Sequence, residues 1–375
     1  MSGFAIAAYR RLVVKVGSSL LIGDDGHIDR AWLEGLAEDI AELHGTDHEL
    51  LVVSSGAIAI GSTVLGINVR RARLADLQAA AAAGQVQLAH AYQAALAAHG
   101  ITAAQVLLTP EDTENRRRFL NARGTLGRLL ERSVVPVINE NDTVATDEIR
   151  YGDNDRLAAR VAQLVMADAL ILLSDVDGLY TADPGRDSGA QHIAEVRNIT
   201  EDTLRMAGET RSDVGSGGMA TKVQAARIAT HAGCSTVIVS GVIARPLRTL
   251  ASGGRHTVFR AEGTPAATRK QWLAGVLEVC GELRLDDGAV SALRSGKSLL
   301  PVGVIKVAGN FRRGDVVTLT DLAGSEIGRG LAEYSADEAQ RVAGCRSERI
   351  EEILGYRGRS VAVHRDEMVL FDSDS

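Results

Sequence analysis

Two lysines and one acidic stretch have the residue types and settings for chemistry. Lys15 interrupts the apolar run Leu12 to Val16, which Gly17, Ser18 and Ser19 close. A lysine inside a buried strand is costly unless it meets an anion, although at a sheet edge the same side chain reaches water. Lys222 ends the segment GSGGMATK, Gly215 to Lys222, directly before a helical pattern that runs to about His231. Its glycines let the backbone approach a phosphate, and free N–H groups at a helix start complement an anion. Ser54, Ser55 and Gly56 close the run Leu50 to Val53 with the same grammar, which many turns use for geometry alone. Asn139 to Asp155, NENDTVATDEIRYGDND, sets six carboxylates and three carboxamides against a single cation, Arg150. Such a segment cannot be core. It is either a solvated loop or a place where carboxylates receive an ammonium group.

These residues need a scaffold that gathers strand ends. Apolar runs predict strands at Leu12 to Val16, Leu50 to Val53, Val106 to Leu108, Val134 to Ile138, Ala169 to Leu173 and Thr236 to Val239. Helical patterns lie between them, at about Arg30 to Leu43, Leu74 to Ala98, a segment carrying Arg116, Arg117 and Arg118, Arg156 to Met166, and the run ending at His231. Alternating strands and helices predict a mainly parallel α/β sheet, whose ligands bind beyond the carboxyl ends of the strands. Each polar cluster named above stands at or just beyond such an end, as do Ser174, Asp175 and the turn-rich VDGLYTADPG. The Ala-rich stretch Leu74 to Ala98 reads as packing or a subunit interface, and the arginine triplet as a solvated helix face. GSGGMATK lacks the Gly-Lys-Ser/Thr ending of a P-loop. It fits G-x-G-x-x-A, without the acidic residue that a dinucleotide fold places about twenty positions on.

From Gly253 to Lys270 the composition turns to Gly, Thr and Arg. The expected organisation is a first domain over 1–262, a linker over 263–274, a small β-rich domain over 275–367 and a polar, frayed tail over 368–375. The small domain should hold strands at Gly275 to Cys280, Val302 to Val307, Asp315 to Thr320 and Ser325 to Tyr334, with a helix near Asp287 to Ser295.

A chain of 375 residues suits one large domain and one small one. Lys and Arg number 41 against 48 Asp and Glu, a net of -7, so no bulk field attracts nucleic acid or anionic lipid. Any phosphate must be held by local cations and backbone amides. Aromatics at 3% leave few stacking platforms for single-stranded bases. Cys234, Cys280 and Cys345 are scattered and read as reduced bystanders. With no signal-like or membrane-length apolar run, the expectation is a soluble cytoplasmic protein.

Taken together and in this order, KVGSS (Lys15 to Ser19), SSGAIAIG (Ser54 to Gly61), NENDTVAT and GDND, LLSDVDGLYTADP (Leu172 to Pro184) and GSGGMATK resemble the amino acid kinase family, in its glutamate-phosphorylating branch. GNFRRGDVV (Gly309 to Val317) and IGRGLAEYS (Ile327 to Ser335) are similar to a PUA domain. The resemblance spans nearly the whole chain. At Ser174 the family often has threonine, so the hydroxyl is kept.

The resemblance implies an open, mainly parallel αβα sandwich followed by a small β-rich PUA domain, with glutamate and ATP meeting over the carboxyl edge of the sheet. It further implies that Lys15 and Lys222 flank the transferred phosphoryl group and that Asp155 holds both ammonium groups. Ser55, Asp142 and Asn154 would bind glutamate, with Asn139 and Asp153 close by. Lys15, Ser174, Asp175 and the loop Ser216, Gly217, Gly218, Met219, Ala220, Thr221 and Lys222 would hold the nucleotide. Mg²⁺ would accompany ATP, with no protein ligand assigned to it. A homo-oligomer, feedback inhibition by proline and hand-over of the product to a semialdehyde dehydrogenase also follow from the resemblance.

The residues agree with that chemistry. A γ-carboxylate is already ionised at pH 7, so its attack on ATP needs no general base. The needs are alignment of two anions and neutralisation of the equatorial oxygens. The competing readings are an aspartate or N-acetylglutamate kinase and an RNA-binding PUA protein. An N-acetylated substrate offers no ammonium to Asp142. From Gly275 to Gly358, 11 Lys and Arg stand against 13 Asp and Glu, hardly a polyanion footprint, although Arg312 and Arg313 form a local basic patch.

Overall fold

The structure, a computed structural model, describes residues 4–144, 154–208, 218–275 and 279–371. The chain forms two compact units, Met1–Glu114 with Asn121–Pro265, and Asn115–Leu120 with Ala266–Ser375.

The strands of the first unit are β1 (Arg11–Val16), β2 (Glu49–Ser54), β3 (Ala103–Leu108), β4 (Val135–Glu140), β5 (Ala169–Ser174), the hairpin pair β6 (Leu179–Tyr180) and β7 (His192–Ile193), β8 (Glu195–Val196), β9 (Ser235–Ser240) and β10 (His256–Phe259). Apart from the hairpin they build an eight-stranded sheet in the order β3-β4-β2-β1-β5-β9-β10-β8. Pairing is parallel except between β9 and β10, so the expected mainly parallel sheet is present. Its helices are α1 (Ser18–Leu21), α2 (Arg30–His44), α3 (Ala57–Leu65), α4 (Leu74–Ala97), α5 (Pro110–Glu114), α6 (Arg116–Glu131) from Asn121 onward, α7 (Asn154–Val165), α8 (Glu201–Met206), α9 (Met219–His231) and α10 (Pro246–Ala251).

Strand alternation assigns the two faces of the sheet. Leu12, Val14 and Val16 of β1 join Leu36 and Ile40 of α2 and Leu88 and Tyr92 of α4 in one core. Lys15 is on the opposite face, where it meets a residue of α7. Because β1 pairs with β2 on one side and β5 on the other, Lys15 sits mid-sheet, and the edge-strand reading of this lysine fails.

Two glycines set how close α4 lies to the sheet end. A Cβ on Gly84 would stand 1.9 Å from the Ala57 carbonyl oxygen, and one on Gly61 would stand 1.7 Å from that of Ala80. The helices α3 and α4 therefore touch through their backbones. Gly84→Ala should cost on the order of 2–3 kcal/mol, as overpacking does in a close-packed core. Urea unfolding reads this directly, and an unmoved midpoint would show that the helices have room to separate.

The second unit pairs β11 (Gly281–Leu285), β12 (Val304–Gly309), β13 (Val316–Thr320), β14 (Glu326–Leu331) and β15 (Met368–Leu370) in the order β12-β11-β13-β14-β15. Its core includes Leu283, Phe311, Leu319, Tyr334 and Val363. The helix expected near Asp287 to Ser295 runs Asp287–Arg294, capped by Asp286, whose carboxylate accepts from the Ala289 N–H. Three expectations need correction. The linker over 263–274 is mostly helix, Pro265–Gly275, because proline opens a run of Ala, Arg, Lys, Gln and Leu that outweighs the Gly and Thr around it. A strand at Gly275 to Cys280 is absent from its described residues, since Gly275 ends that helix and the strand starts at Gly281. The frayed tail over 368–375 begins as a paired strand with Met368 buried; its last four residues lie outside the described range. Arg116, Arg117 and Arg118 are all exposed, as a solvated helix face should be, and Arg116 pairs with Asp315 at 3.7 Å.

Candidate active site

At the carboxyl edge of the sheet, three charged side chains meet out of water. Asp155, in the first turn of α7, is 0% exposed, while Lys15 and Lys222 are 3% and 4% exposed. Asp155 Oδ1 lies 2.6 Å from Lys15 Nζ, and Oδ2 lies 3.3 Å from Lys222 Nζ. Thr221 Oγ1 donates to Oδ2 at 2.8 Å. Burial pushes the Asp155 carboxyl upward, but Lys15, Lys222 and the hydrogen bonds from Lys15 and Thr221 outweigh it and hold the group below the usual carboxylate range. Burial lowers Lys15, with Lys222 adding to the effect and Asp155 opposing it.

Two buried lysines converge on one carboxylate in this dry space, a setting that suits an incoming anion. Helix geometry reinforces the point. Lys222 stands in the first turn of α9, against the helix macrodipole, a placement that stability alone disfavours. Asp155 offsets it from the first turn of α7, where a carboxylate is favoured.

Beside this triad lies a cluster of amides and hydroxyls. The residues just beyond the paired positions of β2 and β4 are Ser54 and Asn139, at the ends of neighbouring parallel strands. Asn154 Nδ2 donates toward the Ser54 carbonyl at 3.0 Å, Ser55 Oγ at 2.8 Å and Asn139 Oδ1 at 3.0 Å. Asn139 Nδ2 donates to Gln85 Oε1 at 2.8 Å, and Tyr92 Oη donates to Ser54 Oγ at 3.0 Å. Gly56 makes the turn that presents Ser55, at φ +113°, a backbone region that favours glycine. Among the described residues, Asn154 Oδ1 is buried without a hydrogen-bond partner. Asp142 opens a 3-10 turn, Asp142–Val144, and burial pushes its carboxyl up to about 6.

The sheet end next to β1 carries Ser174, 3% exposed, whose hydroxyl donates to Asp175 Oδ1 at 3.0 Å. Asp175 itself is exposed and close enough to Lys15 to favour its protonated form. Gly218 caps α9, and Met219, Ala220, Thr221 and Lys222 form its first turn. Asp153, Ser216 and Gly217 lie outside the described residues, as does 145–153 of the acidic stretch.

The structure thus brings Lys15, Lys222 and Asp155 into one cluster and Ser55, Asn139 and Asn154 into another, adjacent through α7. The expected loop at Asn139 to Asp155 is shorter at both ends. Asn139 and Glu140 extend β4 by pairing with Leu107 and Leu108, and Asn154 and Asp155 are the first two residues of α7. Gln85 and Tyr92 were not expected at the site, because Leu74 to Ala98 reads as packing or a subunit interface. Their signal was faint, one carboxamide and one phenol on the helix face Ala81, Gln85, Leu88, Tyr92.

Residues 10–240 match the model of the amino acid kinase family, and residues 281–354 match that of the PUA domain. Glutamate 5-kinase of Paramagnetospirillum magneticum is 55% identical over 366 residues, spanning 97% of this chain and 99% of that protein. The chain belongs to the amino acid kinase family. Its similarity to glutamate 5-kinase 1 of Rhizobium meliloti is 52% over 366 residues, 98% of this chain and 93% of that one. This amino acid kinase therefore has relatives that share both its kinase region and its PUA region. Among the described residues, no helix is long and apolar enough to cross a membrane.

Proposed function

We propose that this amino acid kinase transfers the γ-phosphoryl group of ATP to the γ-carboxylate of L-glutamate, giving L-glutamyl 5-phosphate, the first step toward proline. The observation that carries the reading is the Lys15–Asp155–Lys222 triad beside the Asn139–Asn154–Ser55 cluster, a site for transferred phosphate next to a site for a polar zwitterion. A γ-carboxylate oxygen attacks the γ-phosphorus, the bond to the β–γ bridging oxygen breaks, and ADP leaves. No proton moves. The buried lysines stabilise charge on the equatorial oxygens, and Asp155 fixes where both ammonium groups stand.

Ser174, Asp175 and the start of α9 take the nucleotide in this reading. Asp155 has both oxygens committed to lysines, whereas Asp175 is an exposed carboxylate at the nucleotide end, suited to a Mg²⁺ held mainly by phosphates. Mg²⁺ adds positive charge to the phosphate oxygens when it is bound with ATP. The γ-acyl phosphate product is labile, which favours hand-over to a reductase.

Incubation with ATP, hydroxylamine and either glutamate, aspartate or N-acetylglutamate tests the substrate. Hydroxamate should form from glutamate; formation from aspartate or N-acetylglutamate instead would assign the chain to another branch.

Asp142 supplies a second test. In the fold its carboxyl is pushed up to about 6 from 3.8, so the folded state keeps a proton that the unfolded chain has lost. The resulting destabilisation grows as pH rises through that window and is complete above it. Asp142→Asn should raise Tm at pH 8 but not at pH 3, while raising the KM for glutamate and sparing that for ATP. In the parent enzyme, the KM for glutamate should climb as pH falls below about 6. If only the ATP constant moved in the variant, Asp142 would belong to the other end of the site.

A further inference from the structure

We propose that Gln85 is a positioning residue that sets the enzyme's preference for a substrate bearing an ammonium group. The proposal rests on the glutamate reading above and extends it to a helix outside the substrate motifs. Three carboxamides form a directed chain. Gln85 Oε1 accepts from Asn139 Nδ2 at 2.8 Å, and Asn139 Oδ1 accepts from Asn154 Nδ2 at 3.0 Å. Asn139 Oδ1 also accepts from the Glu140 N–H at 2.9 Å. Because a backbone N–H only donates and a backbone carbonyl only accepts, Glu140 N and the Ser54 carbonyl fix which amide atom faces which way. Among the described residues, all donations of Asn154 thus leave from Nδ2, and its Oδ1 is left buried with no partner.

A buried acceptor without a protein partner is satisfied by water or by a donor on the ligand. In ionised glutamate the carboxylates only accept, so the α-ammonium is the group that can donate. Asn154 Oδ1 therefore reads the ammonium, provided that the amide stays in this orientation.

Gln85 acts at the far end of the chain. Asn139 is 3% exposed, so without the Gln85 acceptor its Nδ2 has lost the bond that Gln85 supplies in a place closed to water. Turning the Asn139 amide over to seek another partner would set N–H against both the Glu140 N–H and Asn154 Nδ2. Either outcome loosens Asn154. Gln85 is held at its station by the Gly84–Ala57 backbone contact, which links the packing of α3 on α4 to substrate choice.

The test is Gln85→Met, similar in size but without the acceptor, compared with Gln85→Glu, which keeps one. Each is assayed for ADP release with glutamate and with glutarate, the same diacid lacking the ammonium. Gln85→Met should raise the KM for glutamate about tenfold, reduce the glutamate-over-glutarate ratio in kcat/KM by a similar factor, and leave kcat and the KM for ATP within about threefold. Gln85→Glu should restore the ratio. A parent-like ratio in Gln85→Met, or a fall in kcat with the ratio unchanged, overturns the proposal. Should that variant fail to fold, Gln85→Asn, too short to reach Asn139, carries the same expectation. A parent enzyme that phosphorylates neither acid fails the glutamate reading itself, a result visible before any variant is made.

Discussion

Asp155→Asn should lower kcat by a factor on the order of 10³ and destabilise the ligand-free protein by roughly 3–5 kcal/mol. The second effect follows from burial. Lys15 and Lys222 keep their low exposure but lose the charge that both share, so one of them must either give up its proton or pull the site open. A structural ion pair and a catalytic one part company on adding nucleotide. If the triad receives the transferred phosphate, a non-hydrolysable ATP analogue returns negative charge to the two lysines, so saturating analogue should raise Tm more in Asp155→Asn than in the parent. An equal rise in both proteins would place the phosphates away from the triad. The pH dependence has a fixed sign as well. Because the Asp155 carboxyl is held below its ordinary range in the fold, its stabilising contribution is present above that range and is lost on acidification.

Lys15→Met and Lys222→Met should each reduce kcat by about 10² to 10³ while the protein stays folded. In each variant Asp155 retains the other lysine, so the buried carboxylate is never left alone. The double variant should fall short of the product of the single losses, because both lysines act on one phosphoryl group. Single-turnover phosphoryl transfer with saturating substrates separates this from weak binding. Full turnover in both single variants would remove the lysines from the chemistry.

Much of this site was legible in the sequence because parallel sheets advertise their ligand edge. Each strand is an apolar run, and each run stops where small or charged residues take over, as at Ser54–Ser55–Gly56 and Ser174–Asp175. A lysine inside such a run was legible for the same reason, since burying Lys15 makes sense only against an anion. The boundaries of the acidic stretch were less legible. Asn139 and Asp155 look like loop residues by type, yet the first is strand and the second helix, because each is satisfied by a tertiary partner that local propensity does not register. Gln85 was the hardest to see. Its helix is rich in alanine and carries a strong packing signal, and one carboxamide in it becomes informative only once Asn139 and Asn154 stand beside it. Where the second unit begins, glycine and threonine around Pro265 hid a helix whose interior is made of ordinary helix formers.

In the proposed reaction a glutamate oxygen becomes bonded to the phosphorus that Lys15 and Lys222 would hold. Glutamate carrying heavy oxygen in its γ-carboxylate, turned over with ATP and trapped with hydroxylamine, tests that bond most directly. Hydroxylamine attacks the acyl carbon and expels the phosphate with its bridging oxygen, so the released inorganic phosphate should carry one heavy oxygen from glutamate. Unlabelled phosphate formed alongside ADP would mean that ATP is cleaved without phosphoryl transfer to the carboxylate, which contradicts the account.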